Sequence, residues 1–281
     1  MARIKVVTDS GADIPRDLLA KYHIDMVALD VRLGTDESGN LTGLIPEEFW
    51  RRVRASNLMV ETSAPSPGAY ISAFLRARDE GFDAVCCITL SSDLSGVYQT
   101  ACLAANEVSE QIAVRVVDSR WGSVSQALLV LDAAQRCANK QDLDELCGYV
   151  KAQIPTLEAV GALDSLECLR RGGRIGPAQA FFGALFSIKP VITMKGGLMA
   201  GASRQRTRAS SLRYLTEVVA AASPIRSLVI AHADAEDIDD FLEMASPLFP
   251  AGEDKTVTTY MGPVMGAHLG PGAITLCLQR A

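Results

Sequence analysis

Three histidines in 281 residues, at positions 23, 232 and 268, are too few and too scattered to form a zinc motif. The seven cysteines, at 86, 87, 102, 137, 147, 168 and 277, contain no Cys-x-x-Cys pair. Most lie in apolar runs, where a free thiol behaves as a small hydrophobe, and they read as buried thiols of a reducing compartment. No run approaches eighteen apolar residues and no amino-terminal apolar h-region stands out, so neither a membrane span nor a signal peptide is expected. The expected location is the cytoplasm, without stable membrane insertion. Positive charge is also short: 27 Lys and Arg against 33 Asp and Glu leave −6, whereas a nucleic-acid partner wants a basic surface. Missing as well are the Gly-x-x-x-x-Gly-Lys-Ser/Thr phosphate cradle, the Gly-x-Ser-x-Gly nucleophile elbow, any internal repeat and any low-complexity stretch. What remains is a globular chain, 48% hydrophobic and 21% charged, long enough for two lobes.

The segment Val85–Ala101 changes character twice. An apolar run without alternation predicts a strand buried on both faces, as in a parallel sheet. A polar knot, Ser91 to Gly96, follows, and helix formers take over. Ser95 has the side chain of an N-cap, so the loop either simply caps the helix or offers hydroxyls and N–H groups to an anion. Strand, polar loop and helix recur at Ile4–Val7 with Thr8-Asp9-Ser10-Gly11, and at Val114–Val117 with Asp118-Ser119-Arg120. Ile24–Leu33 reads as a further strand, Gly34–Gly43 as the tip of a small hairpin, and Val60–Pro67 as an extended loop packed with hydroxyls. Helices are expected over Ala12–Tyr22, Pro46–Ser56, Gly68–Glu80, Ser125–Lys140 and Asp142–Gln153. Four strands alternating with helices predict a parallel α/β lobe whose ligand crevice lies at the carboxyl ends of the strands.

The second half is punctuated differently. Strands are expected at Leu157–Leu163, Leu185–Thr193, Leu228–Ala231, Thr256–Tyr260 and Ala273–Gln279, with helices at Ser210–Ala221 and Ala235–Ser246. Nine Lys or Arg residues and no acid occur between Leu169 and Arg213, in an otherwise acidic chain. Such a run is either a solvated face or a site for a negative partner. Gly172-Gly173-x-x-Gly176 lacks the context of a dinucleotide fingerprint. Gly266 to Gly272 sets His268 among glycines, where backbone could approach a ligand closely.

Five blocks, in order, carry a family resemblance: Thr8-Asp9-Ser10; Thr62-Ser63-Ala64-Pro65-Ser66-Pro67; Ser91-Ser92-Asp93-Leu94-Ser95-Gly96-Val97-Tyr98-Gln99; Arg170-Arg171-Gly172-Gly173-Arg174-Ile175; and Gly266-Ala267-His268-Leu269-Gly270-Pro271-Gly272. Together they resemble the signature blocks of the DegV family of bacterial fatty-acid-binding proteins, whose FakB members present the acid to a partner kinase. The resemblance implies a two-lobed α/β fold related to the substrate-binding part of dihydroxyacetone kinases. Residues 1–160 would form the parallel lobe, with a hairpin insertion near 28–45, and 161–281 a smaller α/β lobe with a mixed sheet. One long-chain acid, such as palmitate or oleate, would lie in a tunnel between them. By position, Thr62 and Ser95 would bond the carboxylate, with His268, Ser63 and Ser92 completing the head-group network. Arg170 and Arg206 would belong to the face used by an ATP-dependent fatty acid kinase and the acyl phosphate. The chain departs from the family at Ala64, where Gln is usual, and at Val97, where Thr is usual.

Physical chemistry agrees with that expectation. About fifteen methylenes, each contributing about 0.8 kcal/mol on burial, give roughly 12 kcal/mol before the costs of association. The carboxylate cannot be buried bare, and short hydroxyl donors beside a helix start suit it. No nucleophile, metal or cofactor is needed, so the protein is expected to be a carrier and not an enzyme. Two other readings remain: a dihydroxyacetone-kinase-like subunit using His268 on a small carbonyl, and a regulatory module with a structural lipid. The apolar content of Phe181–Met199 favours a long tail over a triose.

Overall fold

The computed structural model describes residues 2–34, 40–56, 60–137, 142–183, 188–252 and 254–281. Along the first half run β1 (Ile4–Asp9), α1 (Arg16–Lys21), β2 (Asp25–Val27), β3 (Asp30–Leu33), α2 (Pro46–Arg54), β4 (Val60–Ser63), α3 (Pro67–Asp79), β5 (Ala84–Thr89), α4 (Val97–Glu107), β6 (Ala113–Asp118), α5 (Ser123–Cys137) and α6 (Leu143–Gln153). The second half holds β7 (Leu157–Ala162), α7 (Glu167–Arg171), α8 (Ala178–Phe182), β8 (Lys189–Lys195), β9 (Leu198–Gln205), α9 (Arg208–Ala222), β10 (Ile225–His232), α10 (Ile238–Ala245), β11 (Thr256–Tyr260), α11 (Pro263–Leu269) and β12 (Ile274–Arg280).

Two sheets organise these elements. The first, in order β2-β1-β5-β6, is wholly parallel. β1 and β5 are buried at all six positions, the reason β5 runs apolar without alternation; β1 buries Lys5, Thr8 and Asp9 beside its β-branched residues. The second is mixed, β11-β10-β12-β7-β8-β9, with a parallel β10–β11 pair and antiparallel neighbours elsewhere. Its strand β7 crosses residue 160, where the sequence reading divides the chain. The two-lobed α/β class is therefore the observed one, and the second sheet has the more strands.

Helix α5 lies between the sheets, against β1 and β5 on one side and β10 and β12 on the other. Residues 123–131 are buried without a break, so this helix is covered all round and not amphipathic. The expected span Ser125–Lys140 shares this helix, positions 138–140 lying outside the described residues. Positions 185–187 of the strand expected over Leu185–Thr193 lie outside them too.

Three local features go beyond the sequence reading. Near 28–45 Arg32 and Asn40 form a single antiparallel bridge, residues 35–39 lying outside the described residues, and β3 also pairs antiparallel with β4, to which it is joined through α2. Strand β9 is unanticipated, because its Gly and Ser residues carry little strand propensity. It follows β8 through Gly196 and Gly197 at φ +56° and +87°, the two positive values of a type I′ hairpin. The glycine-rich stretch after β11 holds helix α11. A Cβ on Gly266 would sit 2.6 Å from Trp50 Cζ2, so this glycine serves helix packing against α2.

At the carboxyl ends of β1, β5 and β6 the loops interlock. The Asp9 carboxylate accepts the N–H groups of Leu90 (2.8 Å) and Gly11 (2.9 Å), and the Ser91 N–H donates to the Trp121 carbonyl at 2.8 Å. Among the described residues no helix is long and apolar enough to cross a membrane. No group of three or more His, Cys, Asp or Glu side chains is placed there to hold a metal ion.

Candidate ligand-binding site

Side chains alternate along a strand, and this alternation separates Thr62 from Ser63. In the β3–β4 ribbon Thr62 stands opposite Val31, which is 1% exposed, and Ser63 stands opposite the exposed Asp30. Thr62 therefore faces inward and Ser63 outward, away from the other predicted site residues.

Helix α11 brings His268 to Thr62, with Nε2 2.9 Å from Oγ1. Behind the ring lies the turn that follows α7. A Cβ on Gly172 would come within 2.5 Å of His268 Nδ1, so the turn closes on the imidazole only because residue 172 is glycine. Nδ1 is buried and has no hydrogen-bond partner among the described residues. Burial first, and the charge of Arg174 second, push the His268 pKa down to about 4. The ring is thus neutral at pH 7.

The serine cluster divides. Helix α4 has Gly96 as its N-cap and no side-chain cap bond, so Ser95 is not the N-cap that its position in the sequence predicts. Its hydroxyl has no hydrogen-bond partner among the described residues and lines a cavity with Thr62 and His268. Ser92 is turned away: its hydroxyl donates to Asp118 Oδ2 at 2.6 Å and its N–H to Oδ1 at 3.1 Å. Ser91 donates to the Gly197 carbonyl at 2.8 Å. The loop does more than cap a helix, and it leaves one hydroxyl, that of Ser95, free at the cavity.

Arg174 is the residue that sequence reasoning missed. Gly173, at φ +70°, turns the chain so that Arg174 reaches back, donating from Nε to the Leu94 carbonyl (3.2 Å) and from Nη1 to the Gly172 carbonyl (2.6 Å). Its charge thus stands at the cavity wall. The double glycine before an arginine was the available signal. Arg170 and Arg206 are exposed and line no part of this cavity.

Thr62, Ser95, Arg174 and His268, with Leu29 and Leu94, line a cavity of about 20 Å³. A second cavity of about 40 Å³ lies between the sheets, walled by residues such as Trp121, Val124, Ile192, Met194 and Leu276. Met199 and Met265, 4% and 3% exposed, border both. The four hydroxyls along the second cavity are already used: Ser123 donates to Asp13 (2.5 Å), Thr193 to the Ala159 carbonyl (2.7 Å) and Thr275 to the Ala231 carbonyl (3.4 Å), and Ser125 bonds the Cys277 thiol. Its surface is therefore chemically apolar. Asp13 also accepts the Gly262 N–H at 2.8 Å, tying α5 to the start of α11, and burial raises its pKa to about 7.

Known proteins resemble this chain across their length. A DegV domain-containing protein of Listeria monocytogenes is 30% identical over 278 residues, covering 98% of this chain and 97% of the relative. A solved structure from Thermus thermophilus, described as fatty acid binding of a DegV family protein, superposes with a TM-score of 0.86 at 29% identity, covering 99% and 100% of the two chains. DegV of Bacillus subtilis, described as a fatty acid binding protein, gives 0.86 at 28% identity over the whole of both chains. A stearic acid-binding protein from Eubacterium ventriosum gives 0.85 at 26%, over 100% of this chain and 98% of that one. The family model described as an uncharacterised protein of the DegV family matches residues 3–281, and this chain belongs to that family.

Proposed function

We propose that the protein binds one long-chain fatty acid, with its tail in the apolar cavity between the sheets and its carboxylate at Thr62 and Ser95. One observation carries the reading: a cavity with free polar donors shares Met199 and Met265 with a cavity that has none to offer. An amphiphile with one anionic end matches that division. Tail burial supplies the affinity, and the donors offset the cost of removing the carboxylate from water. His268 acts through Thr62 in this reading. With the proton on Nε2, the imidazole donates to Thr62 Oγ1 and frees the threonine hydroxyl proton for the ligand. The Arg174 charge and the unpaired N–H groups opening α4 add to the attraction. The fatty-acid-binding descriptions of the Thermus and Bacillus structures support the same ligand class.

The finer role is that of a cytoplasmic carrier built of lobes 1–160 and 161–281. It presents the head group to a separate ATP-dependent kinase that forms the acyl phosphate. The exposed arginines Arg170 and Arg206 then belong to the docking face, and the carrier contributes no nucleophile. A small-carbonyl substrate gains nothing from the geometry, because His268 Nε2 is engaged by Thr62.

Native mass spectrometry of the protein as purified, before and after organic extraction, tests the ligand. The expected result is a mass excess of one fatty acid that extraction removes and oleate or palmitate restores. A protein that carries no acid and takes up none would overturn the reading.

A further inference from the structure

Arg120 has no part in the head-group cavity, yet it is the most heavily engaged cation at the junction of the two sheets. It follows β6 at φ +58°, a left-handed conformation uncommon for a residue with a side chain, and its N–H donates to Asp118 Oδ1 at 2.9 Å. From there the guanidinium pairs with Asp93 at 2.5 Å, lies 3.5 Å from Asp118 Oδ2 and 3.4 Å from Ser92 Oγ, and donates to the Gly196 carbonyl. Three of these partners belong to the first sheet and the loop after β5. The fourth is the β8–β9 turn of the second.

That turn is seated tightly. Ser91 Oγ donates to the Gly197 carbonyl at 2.8 Å, and a Cβ on Gly197 would sit 2.6 Å from Asp93 Oδ2 and 2.7 Å from Arg120 Cζ. Two residues beyond the turn on either side stand Met194 and Met199. Both wall the apolar cavity, and Met199 also borders the head-group cavity. Holding the turn therefore holds the sulfur-bearing wall across which a tail must move. Ser92, expected among the ligand-binding residues, belongs to this cluster instead.

We infer that Arg120 is a latch: by clamping the β8–β9 turn to Asp93 and Asp118 it keeps Met199 in place and sets how fast an acyl chain leaves the cavity. It is a positioning residue, and its effect on exchange rests on the fatty-acid reading above. The guanidinium is partly exposed, so the clamp weakens as salt screens it. Its effect is kinetic because the bound acid touches the same walls whether the turn opens often or seldom.

The experiment follows dissociation of a fluorescent long-chain fatty acid into excess oleate by stopped flow, from the parent, Arg120→Gln, Asp93→Asn and the double variant. Hydrogen–deuterium exchange of the segment around residues 194–200 is measured on the unliganded proteins. The latch predicts roughly tenfold faster release from Arg120→Gln, on the scale of one charge-assisted hydrogen bond lost. Asp93→Asn should accelerate release too, and the double variant should be no faster than Arg120→Gln. Release from the parent should quicken with salt and release from Arg120→Gln should not. Faster exchange in the 194–200 segment of the unliganded variant should accompany this. Unchanged release with unchanged exchange would overturn the latch. Faster segment exchange in a protein whose parent takes up no acid would keep the clamp and sink the fatty-acid reading.

Discussion

Thr62 Oγ1 and His268 Nε2 stand 2.9 Å apart although 206 positions separate them in the chain. The bond joins the edge ribbon of the first half to the last helix of the second, and it forms with a neutral imidazole. Burial and the charge of Arg174 hold the His268 pKa at about 4, below its ordinary 6.5. Histidine ring resonances of the unliganded protein, followed by NMR from pH 8 to 4, should show His268 unchanged down to about pH 5. A midpoint between 6 and 7 would contradict the enclosed site.

The tail cavity makes a claim about chain length. Ala159 is on its wall, and Ala159→Leu adds bulk that displaces about two methylenes of a ligand, or about 1.5 kcal/mol at 0.8 kcal/mol each. Affinity for an eighteen-carbon acid should fall roughly tenfold while a twelve-carbon acid loses little. Titration calorimetry with both acids checks this, and an equal loss for the two would place the tail elsewhere.

Asp13 gives the fold an inverted response to acid. Its folded pKa, about 7, exceeds the ordinary 3.8, so the native state holds a proton that the unfolded chain releases between those values. Its contribution is full below pH 3.8 and is lost as pH rises through 7. Asp13→Asn keeps the Gly262 and Ser123 contacts without a titrating group. The parent should therefore gain stability on that variant, by a few kcal/mol at most, as pH falls from 8 to 4. Urea unfolding at several pH values measures the difference; a gap that stays flat would show the carboxylate to be ordinary.

If Arg170 and Arg206 meet a kinase, they act through charge and not through the tail. Arg170→Ala and Arg206→Ala should leave acid affinity nearly intact, lower kinase-dependent phosphorylation severalfold, and be mimicked in the parent by added salt. Loss of both activities together would make these residues part of the binding site.

Legibility followed sequence distance. The buried strand β5 was readable because an apolar run without alternation, Ala84 to Ile88, reports cover on both faces, and β1 because the β-branched Ile4, Val6 and Val7 lead into a polar loop. Helix α11 was not, since Gly266 and Gly270 dilute its pattern for reasons that lie across the fold: one makes room for Trp50, and the other, at φ +80°, ends the helix beside Cys168. Thr62, Ser95 and His268 were named through the family resemblance, and they line one cavity. Ser63 and Ser92 were named with them but face away, because neighbouring residues of a strand or turn cannot all point inward. Arg174 was overlooked because only the fold of its glycine turn shows which arginine of the run reaches the cavity.

The most direct measurement is oleate affinity of the parent and of Thr62→Val with Ser95→Ala, by calorimetry on matched preparations whose folding is confirmed by thermal unfolding. The account predicts tight one-to-one binding by the parent and a loss of roughly 2–4 kcal/mol in the double variant, as for a charged acceptor deprived of two donors. Equal affinity in the two proteins would contradict it.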